Sequence, residues 1–241
     1  MNMRLLAGLL FAVSVVGFSL GATLPLVSLR LHEAGAGTLE IGMISAIPAA
    51  GMMLSAFLVD ACCRYFKRRT LYLLCFSLCT LSIGLLEPAF ASLWGLAVLR
   101  LALGLGMGIA IILGESWVNE LCQEHNRGKI MALYATSFTG FQVLGPAMLA
   151  VLGAHSPWIT GVVTACYGLA LACIVVTVPN DRVLHAEDDK SFGLAGFFRV
   201  APALCVAVLF FSFFDAVVLS LLPVYASSHG FAVSAGIHRQ E

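Results

Sequence analysis

Apolar residues run along this chain in long stretches, with neither the alternation of a half-buried strand nor the one-sided stripe of a surface helix. Seven stretches are almost free of charge: residues 5–29, 41–59, 71–86, 89–113, 130–152, 158–178 and 201–225. A bilayer core about 30 Å thick asks for roughly 20 mostly apolar residues per crossing, and all seven stretches qualify as candidates. Each is expected to be a helix, because a single segment in lipid satisfies its backbone groups internally only by coiling. The predicted fold class is all-α, a polytopic membrane helix bundle with about seven transmembrane helices. Residues 5–29 form a run about twice the length of a signal-peptide core and lack a small-residue cleavage site, so they are expected to stay as the first helix.

Composition agrees with lipid as the main solvent. Charged residues make up 11% of the 241 residues, hydrophobic residues 60%, and the mean hydropathy is +0.97. A soluble domain carries about 25% charged residues. The net charge is zero, but its distribution is not even. With the N-terminus inside, the cytoplasmic side holds Arg4, Arg64, Lys67, Arg68, Arg69, Arg127, Lys129, Arg182, Lys190 and Arg199. The other side holds Arg30 and Arg239, while Arg100 lies within a span. The excess of basic residues in cytoplasmic loops fixes the expected orientation as N-terminus cytoplasmic in the cell (inner or plasma) membrane. That orientation excludes a seven-helix receptor, whose N-terminus is outside, and the last span lacks the lysine a retinal protein needs.

Enzyme chemistry finds no footing. The six histidines are scattered in loops or the tail, the eight cysteines form no C-x-x-C pair, and the glycine-rich run near Gly104 lacks a P-loop lysine. No cofactor, metal or nucleic-acid partner is implied.

The first and last spans resemble each other. One ends Gly21-Ala-Thr-Leu-Pro25-Leu-Val-Ser28 and the other Leu219-Ser-Leu-Leu-Pro223-Val-Tyr-Ala226. Secondary transporters are commonly built from structural repeats. Residues 1–180 are expected as a six-helix bundle, 181–199 as a cytoplasmic linker, and 200–241 as the first helix of a truncated second bundle with a short tail.

Three segments bear a closer likeness. Asp60 ends the second span ahead of the basic cluster Arg64, Lys67, Arg68 and Arg69. Arg100, Gly104 and Gly108 stand four residues apart on one helix face. Glu115-Ser-Trp-Val-Asn-Glu120 precedes Arg127-Gly128-Lys129, and the following span carries Gly145-Pro146, a kink site. Together these resemble the major facilitator superfamily over essentially the whole chain. Ala56 and Cys63 stand where that family has glycines, Ala61 where it has an arginine, and Leu149 and Ala150 where an antiporter-type motif has a glycine pair.

The resemblance implies alternating access by rocking of two bundles about a central site for a small solute. An aspartate such as Asp60 at a helix end can pair with loop cations and hold one side shut, and Glu115 and Arg127 are placed to bridge the next turn. Arg100, near mid-membrane, needs a polar partner or a wet cavity, since its cost there is at least ~2.5–3.5 kcal/mol. Asp215, within the seventh span, is the candidate for proton coupling, although its repeat counterpart is Gly17. Tyr134, Gln142 and Ser14 are candidate cavity residues. The expected partners are the lipid bilayer, an unidentified solute, a proton, and a second bundle supplied by a partner. The alternative is a non-transporting membrane fragment or scaffold.

Overall fold

The computed structural model describes residues 3–178 and 202–228. The expected linker at 181–199, with Arg182, Lys190 and Arg199, lies outside the described residues, as does the tail with Arg239. Among the described residues, eight α-helices follow in order: α1 (Met3–Glu33), α2 (Thr38–Tyr65), α3 (Arg68–Gly84), the single turn α4 (Leu86–Ala89), α5 (Leu93–Leu121), α6 (Arg127–Leu152), α7 (Trp158–Thr177) and α8 (Pro202–Ser228). A 3-10 turn at Glu124–Asn126 leads into α6. Among the described residues there is no strand.

Five of these helices, α1, α2, α5, α6 and α7, are long and apolar enough to cross a membrane. Helix α3, with 17 residues, is at the short end, and α8 has 27 residues with Asp215 as its one charged residue. Residues 87–88, expected as a bare connection, instead lie in α4, and the next helix starts later, at Leu93. That helix also runs two turns beyond the expected end at 113, to Leu121, which places Glu115 and Glu120 on α5 itself.

The helix ends follow local chemistry. Where α1 stops, Gly35 adopts φ +81°, the Gly35 amide donates to the His32 carbonyl at 3.0 Å, and the Ala36 amide donates to Leu31 at 2.9 Å. This paired pattern closes the last turn and needs a left-handed residue that glycine supplies at least cost. The Gly37 amide then donates to the Glu40 carboxylate at 3.0 Å, satisfying one of the orphan donors at the start of α2.

Helix α1 is the centre of the bundle. It packs on α6, α7, α8, α2 and α5, and 72% of its most apolar stretch is buried. The tightest pairings are α1 with α6 and α2 with α5, with α3 seated between α5 and α7. In lipid, helices gain little from hiding apolar surface, so close packing of small residues has to hold them together. A Cβ at Gly21 would strike the Gln142 backbone carbonyl, and one at Gly104 the backbone of Pro48. Gly17 and Gly145 extend the first contact, and Gly51 and Gly108 the second. On the outside, α2 and α6 stay apolar but uncovered, with Phe57 74% and Val143 69% exposed, as lipid-facing surfaces require.

These contacts predict that Gly21→Val or Gly104→Val will destabilise the purified protein by at least about 1–3 kcal/mol, the usual cost of overpacking. Gly140→Ala, with nothing within 4 Å of its new methyl group, is expected to leave the melting temperature unchanged. Thermal unfolding in detergent, followed by size-exclusion chromatography, checks both.

Candidate functional site

A cavity of about 330 Å³ opens between α1, α5, α6 and α8. Its polar lining is Glu115 from α5, Tyr134, Thr139 and Gln142 from α6, and Asp215 from α8. Leu20, Phe138 and Phe211 supply apolar wall. The helical repeat explains the α6 contribution. Tyr134, Phe138 and Gln142 are four apart and share the face turned to α1, where the Phe138 and Gln142 backbones rest on Gly17 and Gly21. The close approach of α1 and α6 therefore also aims these side chains.

Gln142 is 6% exposed, and its amide nitrogen donates to the Asp215 carboxylate at 3.1 Å. This bond ties α8 to α6. A second polar tie to α8 runs through hydroxyls: Ser28 of α1 lies 3.0 Å from Ser220 of α8 and 3.1 Å from Ser45 of α2. Tyr134 is 3% exposed, and its hydroxyl has no partner among the described residues. The Tyr134 and Tyr72 hydroxyls both press on Gly114, one residue before Glu115. Ser14, expected beside these groups, is instead buried with its hydroxyl donating to the Leu10 carbonyl at 2.8 Å, away from the cavity lining.

Arg100 is 1% exposed and points at α1, where one guanidinium nitrogen donates to the Thr23 carbonyl at 3.4 Å. Its Nε and second terminal nitrogen have no partner among the described residues. It does not line the cavity. Gly104 and Gly108, on the same face, meet Pro48 and Ser55 of α2. Gly145 faces Gly21 and Ala22, and α6 continues unbroken through Pro146.

The charges at the Arg64–Lys129 end of the bundle are arranged differently from expectation. Asp60 and Arg64 are exposed and form no ion pair among the described residues. The expected bridge between Glu115 and Arg127 is likewise not formed: Arg127 is exposed, and Glu115 sits on the extended α5 facing the cavity. Arg68 makes the strong contact instead. It is 4% exposed, donates both terminal nitrogens to the Glu120 carboxylate at 2.6 Å, and lies 4.8 Å above the Trp117 ring. The two-pronged geometry is one that arginine supplies and lysine cannot. It fastens the start of α3 to the end of α5.

At the opposite end, a node not foreseen from sequence gathers around Arg30. Its guanidinium donates to Glu87 at 2.5 Å and to the Ala154 carbonyl at 2.7 Å, and stacks 4.9 Å over Phe90. Thr160 donates to the other Glu87 oxygen at 2.9 Å. Donation from Arg30 is the main cause that lowers the Glu87 carboxyl below its ordinary 4.5, against an opposing cost of partial burial. The available signal was Arg30 itself, a cation on the side where the expected orientation leaves cations scarce.

The described helices form a polytopic membrane bundle with a cavity between α1, α5, α6 and α8. Residues 9–238 match the Major Facilitator Superfamily, and the chain belongs to that family. It is similar to an uncharacterised MFS-type transporter, YfkF, of Bacillus subtilis (strain 168), with 25% identity over 238 residues that cover 94% of this chain. The chain spans 59% of that relative's length.

Two outcomes follow from the ion pairs. Because the Glu87 carboxyl is lowered on folding, its contribution is fully present above the ordinary glutamate range and is lost as pH falls through the lowered value. Glu87→Gln should therefore melt below the parent at pH 7, with the gap closing under about pH 4. Arg68→Lys should lower stability by about 1 kcal/mol or more through the lost two-pronged bond, whereas Arg64→Lys and Arg127→Lys should change it by less than about 0.5 kcal/mol. Melting curves across pH check the first, and curves at pH 7 the second.

Proposed function

We propose that the chain serves secondary transport of a small solute by alternating access, with the cavity between α1, α5, α6 and α8 as the solute site. The observation that carries this reading is the Gln142–Asp215 bond at 3.1 Å, which sets an acid from α8 and an amide from α6 over one cavity between apolar helices. An ionisable group inside a membrane is costly and marks an ion or substrate path by default. Family membership supports the same activity at the level of the superfamily.

In this reading α8 moves relative to the six-helix bundle of residues 1–180, and Asp215 exchanges a proton as it does so. Protonation removes the charge and its burial cost and weakens the acceptor that holds Gln142. The groups facing Asp215 are Gln142 across the bond, with Glu115 and Tyr134 around the same cavity. The α8 side chains Phe210, Phe213 and Phe214 are all more than half exposed and suit a second bundle packed against that helix. Asp60, Arg64, Arg68, Glu120 and Arg127 form the gating region on the proposed cytoplasmic side. There the Arg68–Glu120 pair holds α3 and α5 together while the exposed charges remain available to the second bundle.

The test is a solute screen in proteoliposomes carrying an internal pH dye. Solute-driven proton movement is expected with the parent chain, and a loss of about tenfold or more is expected with Asp215→Asn. Solute flux that ignores the pH gradient and is equal in both proteins would overturn the coupling role. If no solute moves in either direction, the transport reading fails for this chain.

A further inference from the structure

The chemistry of the cavity wall goes further than a generic solute site. Both charged residues in its lining, Glu115 and Asp215, are acids, and no lysine, arginine or histidine lines it among the described residues. Arg68 is paired with Glu120 and Arg30 with Glu87, Arg100 is buried against the Thr23 carbonyl, and Arg127 and Lys129, at the start of α6, are exposed and do not line the cavity. Glu115 forms no ion pair among the described residues and is exposed toward the opening. Among the described residues, Asp215 accepts a hydrogen bond from the neutral Gln142 amide and forms no ion pair.

The remaining wall is mostly apolar and partly aromatic. Tyr134, Phe138 and Phe211 present rings to the space, with Leu20 and Met131 beside them. The Tyr134 hydroxyl packs on Gly114 beside the Tyr72 hydroxyl, which leaves its ring as the part that borders the cavity. Aromatic faces attract cations, more so out of water. A hydrated inorganic ion does not suit this wall, since hard divalent ions need six or more oxygens at short range. No group of three ligating side chains is assembled to hold a metal among the described residues. An anion would meet two carboxylates and no counter-charge.

We propose that this cavity binds a monovalent organic cation with an apolar or aromatic body, such as a quaternary or protonated amine. The cationic head lies against Glu115 and Asp215, and the body lies against Phe138, Phe211 and Tyr134. The volume, near the lower end of about 300–1,000 Å³ for small-molecule sites, limits the ligand to a compact one. The inference rests on the cavity being the solute site and names the class of solute.

The experiment titrates the purified 241-residue chain in lipid nanodiscs by calorimetry with three water-soluble probes: benzyltrimethylammonium, benzamide and benzenesulfonate. The cation is expected to bind about tenfold or more tightly than the neutral or anionic probe. Glu115→Gln and Asp215→Asn should each weaken the cation about tenfold, with Glu115→Asp recovering part of the loss. Equal binding of benzamide, or tighter binding of benzenesulfonate, overturns the cation class while leaving the cavity as a solute site. Cation affinity unchanged in both acid variants overturns the assignment to this cavity. Absence of binding by all three probes, in parent protein that elutes as a single folded peak, also overturns it, whereas the transport reading stands or falls on the proteoliposome screen.

Discussion

The structure depends on two backbone-to-backbone contacts, α1 with α6 and α2 with α5. In water such pairs would be driven together by apolar surface, but lipid gives no comparable force, so the gain must come from dense packing at short range. Residues without a side chain make that range accessible. At Gly21 and Gly104 the neighbouring main chain occupies the space a methyl group would need. The rest of the architecture is organised around these seams. The α6 face carrying Tyr134 and Gln142 is aimed by the first, and the α5 face carrying Gly104 and Gly108 is held by the second.

Charge is distributed with a matching economy. Arg68 and Arg30 occupy opposite ends of the described bundle, and each is satisfied by a carboxylate, an aromatic face, or both. Arg68 fastens α3 to α5; Arg30 fastens the end of α1 to α4 and to the loop between α6 and α7. Arg100 differs, since it lies deep in the bundle with a single weak bond at 3.4 Å. The end ties restrain helices among α1–α7, whereas the Gln142–Asp215 and Ser28–Ser220 bonds reach across to α8 and use neutral donors. Such bonds are easier to exchange than two-pronged ion pairs.

The membrane class and most of the helices were legible in the sequence, because the bilayer imposes a length and an apolarity that leave few alternatives. The glycine face of α5 was legible for a similar reason: a spacing of four on a helix has one geometric meaning. Helix ends were harder. Polar residues at Glu115 and Glu120 suggested a turn, but α5 carries them on its surface because Glu115 faces a cavity and Glu120 a buried arginine. Ion-pair partners were hardest. Asp60, Glu115 and Glu120 are all acids near a basic cluster, and local charge gives no preference among them. The choice of Glu120 is made by tertiary packing, where Trp117 and the start of α3 place Arg68 within reach of one carboxylate only. The Arg30 node joins residues from four separate places in the chain, a pattern no local window contains.

The burial of α1 has a consequence for how the protein is made. This helix is the most enclosed of the five long spans, yet it is the first to leave the ribosome. Its principal neighbour, α6, begins only at Arg127. At about 5–20 residues per second of synthesis, α1 remains on the order of ten seconds without the surface it will pack against. During that interval the face that α6 will cover has only lipid against it, so a helix destined for the centre of the bundle must also be acceptable to hydrocarbon on that face. The absence of any charge between Leu5 and Leu29 meets that demand. The acids of the cavity come from α5 and α8, which reach the membrane when neighbours are already there to receive them.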